Sequence, residues 1–386
     1  MQVQQLVEYA EGLYHDTTFS VCKDWKEKHG RAAIGYLPIY VPRELIDAAG
    51  MLPVGLLGGR GLVEIIRGDA FYQSYICQIP RSTVELALMG RYDFIDGFLF
   101  PSTCDVIRNL SGVWKILFPD KYSHYLDVPQ NFEKEIGGRF YERELRHILR
   151  DLETIAKKKV SDDDLRQSIA SYNDNRHAIS DLFALRNAEP WRALATESYL
   201  MLYAGCLLPV REHTELIRRY IAAVKQADRP MRDNARVIVT GAFCEQPPLG
   251  LVRTLELAGC YIVWDDMSIG RRWLQADVSL EGDPIESLSD AFLRHSITTA
   301  VKYEPQLDRT VPLRRLVEKN RAEGVVFAAP SFCDPALLEQ PMLTQALDRA
   351  GIPWTAFKYA ENLGQFQVIR EQAGTFADSI KLWSET

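Results

Sequence analysis

Two segments of the chain carry the same five-residue pattern around a thiol. Pro101-Ser102-Thr103-Cys104-Asp105 and Pro330-Ser331-Phe332-Cys333-Asp334 both read P-S-x-C-D. Each follows an apolar run suited to a buried strand, Phe98-Leu99-Phe100 before the first and Val325-Val326-Phe327-Ala328-Ala329 before the second. A thiol just past the carboxyl end of a parallel strand stands where α/β proteins build their sites. Two such thiols from two halves of a chain can converge on one cofactor. The plainer reading makes each a small buried residue at a strand end, with Ser and Asp bonding local backbone N–H groups to shape the turn. A packing accident, however, would not bring the same Pro-Ser and Asp neighbours twice.

Cys77 lies in Ser74-Tyr75-Ile76-Cys77-Gln78-Ile79-Pro80, within a stretch, Phe71 to Met89, whose pattern predicts a helix. Alone it reads as core; it gains weight from Cys104 in the same half. Three thiolates without an obvious fourth partner suit an iron–sulfur cluster with one open iron. An open position is what a catalytic metal needs and a structural one avoids. Cys244 follows a predicted strand and is the reserve ligand. Cys206 and Cys260 read as core, and Cys22 as a packing or surface residue of an N-terminal helical stretch. There is no C-x-x-C, no H-E-x-x-H, no G-x-x-x-x-G-K-[ST] and no G-x-S-x-G. None of the seven histidines stands at metal-pair spacing along the chain. Gly58-Gly59-Arg60-Gly61 follows a predicted strand and is a turn signal.

These thiols need elements to hold them. Ile34 to Ile39, Val54 to Leu57 and Asp93 to Phe100 read as strands, alternating with helices over Pro42–Gly50, Phe71–Met89 and Val106–Phe118. Pro at the first helix's start and Gly past its end follow the usual asymmetry. The middle is helical: Tyr141 to Lys158, a segment capped at Ser161 and running to Arg186, and Trp191 to Gln226. Its charges fit solvated helices bridging two lobes. Strands at Ala235–Thr240, Cys260–Trp264, Val325–Ala329 and Pro353–Tyr359, with helices over Pro248–Ala258 and Phe366–Trp383, complete a second alternation. The predicted fold is α/β: two doubly wound, parallel-sheet lobes of Rossmann or flavodoxin type, joined by helices, with a cofactor in the cleft. The expected divisions are 1–155 (Cys77, Cys104), 156–232 as connector, and 233–386 (Cys333).

Composition narrows the function. A chain of 386 residues with 47% apolar and 25% charged content is long enough for two or three globular domains. A net charge of −7 with no basic face argues against nucleic acid as a partner. No apolar run approaches the ~20 residues of a membrane span, and the N-terminus lacks the basic and apolar regions of a secretory signal. Seven scattered cysteines are not a disulfide framework, so a cytoplasmic, reducing setting is expected.

The stretch Tyr36-Leu37-Pro38-Ile39-Tyr40-Val41-Pro42-Arg43-Glu44-Leu45-Ile46-Asp47-Ala48-Ala49-Gly50-Met51-Leu52-Pro53-Val54, with Ser331-Phe332-Cys333-Asp334-Pro335, resembles the 2-hydroxyacyl-CoA dehydratase / benzoyl-CoA reductase family. The resemblance covers nearly the whole chain. The ending from Gly364 to Asp378 is similar to that of the smaller core subunit of ATP-dependent benzoyl-CoA reductases and departs from the charged ending of the dehydratases. The resemblance implies one [4Fe–4S] cluster held by Cys77, Cys104 and Cys333, its fourth iron left to water, a non-cysteine group or the substrate thioester oxygen. It implies a homologous larger core subunit, ATP-hydrolysing activator subunits and ferredoxin as partners. The implied reaction is single-electron reduction of an aromatic acyl-CoA, benzoyl-CoA, to a cyclic dienoyl-CoA. No residue is identified as proton donor. The alternatives are a subunit of an (R)-2-hydroxyacyl-CoA dehydratase, which eliminates water through a ketyl radical; a non-catalytic scaffold whose cysteines are core; and a metal-free CoA- or nucleotide-binding module.

Overall fold

The computed structural model describes residues 2–37, 39–73, 75–241, 246–270, 272, 276–296, 310–360 and 366–384. Two helices lead, α1 (Val3–His15) and α2 (Ser20–His29). The first sheet follows, with β1 (Ala33–Tyr36), α3 (Arg43–Ala48), β2 (Leu52–Gly55), α4 (Gln78–Leu88), β3 (Gly97–Pro101), α5 (Asp105–Leu117) and β4 (Tyr122–Leu126). Next come α6 (Arg139–Ala156), α7 (Asp162–Ala188), α8 (Ala195–Ala204) and α9 (Val210–Gln226). The second sheet contains β5 (Ala235–Thr240), α10 (Leu249–Leu257), β6 (Cys260–Asp265), α11 (Pro284–His295), α12 (Thr310–Lys319), β7 (Gly324–Pro330), α13 (Asp334–Arg349) and β8 (Trp354–Tyr359), and α14 (Phe366–Ser384) closes the chain.

Both sheets are four-stranded and all-parallel, in the orders β2-β1-β3-β4 and β6-β5-β7-β8. The chain runs one way from the first strand to the second, then crosses back to the third. The two doubly wound lobes predicted above are therefore present, each with its switch point between its first and third strands, where such folds open a crevice. Cys104 and Cys333 leave the third strand of their respective sheets.

Strands with both faces covered read as continuous apolar runs, and side chains alternate between two cores. In β3, Phe98 and Phe100 join the core shared with α1, α2 and α7 to α9, while Leu99 faces a second core under α3 and α6. In β7, Val326 and Ala328 enter that same shared core, whereas Val325 and Phe327 face α12 and α13. One apolar cluster thus runs from the first sheet to the second. Its centre is α8. Nine of the ten α8 residues are buried, so this part of the helical middle is core rather than the solvated bridge its neighbours' charges suggest. Apolar Leu200 to Leu202 with Tyr199 and Tyr203 leave this helix no solvent face, so it is enclosed.

Three local differences from the sequence pattern have physical causes. The Phe71–Met89 stretch is not one helix. A 3₁₀ turn occupies Gly68–Phe71, and α4 begins at Gln78, with Cys77 as its N-cap. Proline lacks the N–H that a helix interior donates, but the first turn has no acceptor for those groups, so Pro80 fits there. The Trp191–Gln226 stretch is two helices, broken between Gly205 and Pro209, which caps α9. Strand β4 carries no apolar run because it is an edge: only Leu126 of its five residues is buried.

Helix α11 crosses over. It belongs to the second alternation yet packs on α6 and α7, burying Ile285, Leu288 and Phe292 in the core under the first sheet. The segment before it is pinned to α7 by reciprocal bonds: Asn173 donates to the Val278 carbonyl and accepts from its N–H, both at 2.9 Å. Glu44 and Asp47 of the resemblance stretch also serve packing. Arg176 of α7 donates to Glu44 at 2.8 Å, and Ser168 donates to Asp47 at 2.7 Å. No helix among the described residues is long and apolar enough to cross a membrane.

Candidate functional site

The two P-S-x-C-D segments form equivalent corners. Pro101 pairs with Leu126 and Pro330 with Tyr359, each at the end of the neighbouring fourth strand. Ser102 N–H donates to the Leu126 carbonyl at 2.9 Å, and Ser331 N–H to that of Tyr359 at 2.7 Å. The following cysteine is in each case the N-cap of a helix, Cys104 of α5 and Cys333 of α13. Its carbonyl accepts the first helical bond, from Arg108 at 3.2 Å and from Leu337 at 3.0 Å. The motif serine has a definite use at the first corner, where Ser102 Oγ accepts from Val128 N–H at 2.7 Å. It ties the turn to the chain leaving β4.

Cys77 takes the same kind of position at α4. All three candidate thiols therefore stand at helix N-caps, where the partial positive charge of the helix end favours a thiolate. Cys77 and Cys333 are buried and Cys104 is partly exposed. Cys77 and Cys104 both act on the Tyr72 phenol, whose pKa is raised well above the usual range by burial and then by these two thiols. Tyr72 Oη is buried without a hydrogen-bond partner. Cys333 stands at the matching corner of the other sheet. The three thiols are not gathered at the spacing of ligands around one ion, with all donor atoms within 4.8 Å. The thiolates of a cubane bind separate irons and stand farther apart than that.

The other cysteines divide as follows. Cys22 is fully buried and donates to the Leu207 carbonyl at 3.5 Å, with burial pushing its pKa up. Burial likewise pushes Cys206 up to about 11 and Cys260 up to about 12. Buried thiols of this kind are inert packing groups. Cys206 presses on β2: a Cβ on Gly55 would fall 2.7 Å from the Cys206 Cβ, so the position must be glycine. Cys244 lies outside the described residues.

Two groups were not visible in the pattern of the chain. The first is Glu85 of α4, which holds the loop carrying Tyr72 and Cys77. One of its oxygens accepts from the N–H groups of Ile66, Arg67 and Gly68 at 2.9, 2.6 and 2.8 Å. Burial would raise its pKa, but these three bonds and the Arg67 charge outweigh it, and the pKa is lowered. The Gly58-Gly59-Arg60-Gly61 turn belongs to the same loop. Gly58 adopts φ +64°, and a Cβ there would meet Ser82 Oγ at 2.4 Å, so the turn packs directly on α4. Arg60 is buried against the Tyr14 and Tyr203 rings and donates to Tyr203 Oη at 2.5 Å.

The second is a histidine group. No two histidines stand at metal spacing along the chain, but the fold brings His124 of β4 and His147 of α6 together with Asp151. Among the described residues, this is the one set of three or more His, Cys, Asp or Glu side chains whose ligand atoms all lie within 4.8 Å.

The family model described as 2-hydroxyglutaryl-CoA dehydratase, D-component, matches residues 38–380. The chain is 54% identical over 386 residues to a benzoyl-CoA reductase subunit of Thauera aromatica, covering 100% of both chains. It is 29% identical over 359 residues to the beta subunit of (R)-2-hydroxyglutaryl-CoA dehydratase of Acidaminococcus fermentans, covering 91% of this chain and 93% of that one. It is 26% identical over 354 residues to the (R)-phenyllactyl-CoA dehydratase beta subunit of Clostridium sporogenes, covering 92% and 93%.

Proposed function

The chain belongs to the 2-hydroxyglutaryl-CoA dehydratase D-component family, and from that membership we propose that it is the iron–sulfur core subunit of an ATP-dependent, ferredoxin-driven benzoyl-CoA reductase. The observation that carries this reading is the 54% identity, end to end, to a benzoyl-CoA reductase subunit, against 26–29% to the dehydratase subunits. The reaction adds two electrons and two protons to the ring of benzoyl-CoA, one electron at a time, and leaves a cyclic dienoyl-CoA. ATP hydrolysis falls to partner subunits, and a homologous larger core subunit completes the assembly, which works in the cytoplasm.

Cys77, Cys104 and Cys333 would hold a [4Fe–4S] cluster in this reading. Their placement at three helix N-caps supports it, since soft thiolate donors at positive helix ends suit iron–sulfur ligation. Such a cluster would supply single electrons at low potential and Lewis acidity. The chain's own residues do the rest. The helix ends stabilise negative charge at Cys77, Cys104 and Cys333, most strongly at the buried Cys77 and Cys333, where fixed dipoles count most. Tyr72 is protonated at neutral pH as any phenol is, and its hydroxyl is buried without a hydrogen-bond partner. It is therefore a hydrogen-bond donor beside Cys77 and Cys104, and its raised pKa makes it a group that holds its proton rather than one that gives it up.

The test is to co-produce the chain anaerobically with its larger core subunit and activator, then add benzoyl-CoA, ATP and a strong reductant. Formation of dienoyl-CoA is the expected result. An iron-loaded complex that makes none, but dehydrates a 2-hydroxyacyl-CoA, replaces this reading with the dehydratase. A colourless, iron-free chain within an active complex replaces it with the scaffold.

A further inference from the structure

A second metal-binding chemistry sits on the outer edge of the first sheet, built without cysteine. Tyr122 and His124 alternate onto one face of the edge strand β4, with their rings stacked 6.3 Å apart. Glu144, His147 and Asp151 are spaced i, i+3 and i+7 on α6, so they share one stripe of that helix. The stripe meets the strand face. His147 Nε2 lies 3.5 Å from Asp151 Oδ2, and His124 Nδ1 lies 4.0 Å from the same oxygen. The two imidazole rings stand edge to face at 5.2 Å.

These separations are too long for direct hydrogen bonds. They are close to the distance of about 3.3 Å between ligands of a tetrahedral ion with bonds of about 2.0–2.1 Å. The outer contacts match as well. The second nitrogen of a metal-bound histidine is generally steadied by a carboxylate, and a ligating carboxylate is itself hydrogen-bonded. His124 Nε2 is buried without a hydrogen-bond partner, with Glu144 Oε2 3.6 Å away. Asp151 Oδ2 accepts the Tyr122 hydroxyl at 2.9 Å.

We propose that His124, His147 and Asp151 bind a divalent transition-metal ion of the zinc class, with Glu144 and Tyr122 as positioning residues behind His124 and Asp151. Two imidazoles and one carboxylate are a donor set for Zn²⁺, Co²⁺ or Fe²⁺ rather than for Ca²⁺ or Mg²⁺, which take oxygen. Three protein ligands leave a fourth position for water.

The probe is Co²⁺ added to the metal-stripped full-length chain. Cobalt held by nitrogen and oxygen has visible ligand-field bands without the intense near-ultraviolet bands of a thiolate. The expected result is one equivalent of thiolate-free Co²⁺, displaced by Zn²⁺. Those bands vanish in His147→Ala, and Tyr122→Phe binds about tenfold more weakly, as an outer-contact loss does. His147 is half exposed on α6, so alanine there leaves the fold intact, which circular dichroism checks. Bands that persist in His147→Ala, or cobalt that shows thiolate bands alone, overturn the site. No cysteine takes part, so iron content in His147→Ala stays at the wild-type level and the result is independent of the reading of Cys77, Cys104 and Cys333.

Discussion

The two P-S-x-C-D corners share a frame and differ in the turn between serine and cysteine. Both hang on the fourth strand of their sheet through the serine N–H, and both end in a cysteine N-cap. At the first corner Thr103 is buried, its N–H bonds back to the Pro101 carbonyl at 2.8 Å, and Cys104 is fully extended at φ −160°. At the second, the turn is one residue wider. Cys333 N–H reaches the Pro330 carbonyl at 3.2 Å, and Phe332 is thrown outward at φ +66° with 55% of its surface exposed. The loops beside the corners differ too. The one after β2 brings Cys77 and is held by Glu85. The one after β6 has no cysteine among its described residues and is tied by Arg272, which donates to Asp266 at 2.7 Å. The shared pattern supplies two corners, and among the described residues the loop after β2 alone adds a third candidate thiol beside them.

The largest effect expected from breaking this comparison is loss of iron. Cys104→Ala and Cys333→Ala, singly, should each reduce iron and sulfide in the anaerobically purified chain to background and abolish reductase turnover. Cys77→Ala should do the same, because the proposed ligand set counts it as the third thiolate. Cys206→Ala is the control: it removes a buried packing thiol, costs about 1 kcal/mol, and leaves iron unchanged. Full iron in either corner variant would reduce that corner to a turn.

A smaller effect tests the unmatched loop. Glu85→Gln removes the charge that accepts three backbone N–H groups and should cost about 2 kcal/mol, in the range of hydrogen bonds to a charged group. The sign with pH follows from the lowered pKa. Glu85 is ionised in the folded chain at a pH where it is already protonated in the unfolded one. Its contribution is thus fully present above the ordinary carboxylate range, about 4.3, and is lost as pH falls through the lower folded value. Denaturant midpoints of the wild-type and Glu85→Gln chains should differ at pH 7 and converge as the pH falls below the ordinary carboxylate range. A constant difference would mean that the loop is held by packing alone.

Much of this frame was legible in the residues. Ala235–Thr240 is a strand by its apolar run and is β5; the P-S-x-C-D repeat marks two equivalent corners and does so because both leave a buried third strand. What stayed hidden was set by tertiary contact. Cys77 reads as mid-helix until Pro80 is seen to need a first turn. Strand β4 has no apolar run because it is an edge, so the meeting of His124 with the α6 stripe could not be foreseen from residues 20 and more positions apart. Amphipathic α11 does not declare which sheet it will cover. Glu85 looks like any helical carboxylate until the glycine-rich loop folds over it.

The smallest expected effect sharpens the difference between the corners themselves. A non-glycine residue in the left-handed region costs about 1–2 kcal/mol, and an exposed phenylalanine regains little of that by burial. Backbone strain of this kind persists where surroundings or function demand it. Phe332→Gly relieves the strain but frees the unfolded chain, at about 0.5–1 kcal/mol, so the net effect should be a stabilisation of roughly 0.5–1 kcal/mol. Iron content should not change, because Cys333 keeps its N-cap. Turnover should fall severalfold if the outward ring faces acyl-CoA or a partner subunit, as its position beside the second thiol suggests. Thr103→Gly, at the buried and unstrained first corner, should instead destabilise. A Phe332→Gly chain that melts below wild type would show that the ring packs rather than projects, and the two corners would then differ in sequence but not in role.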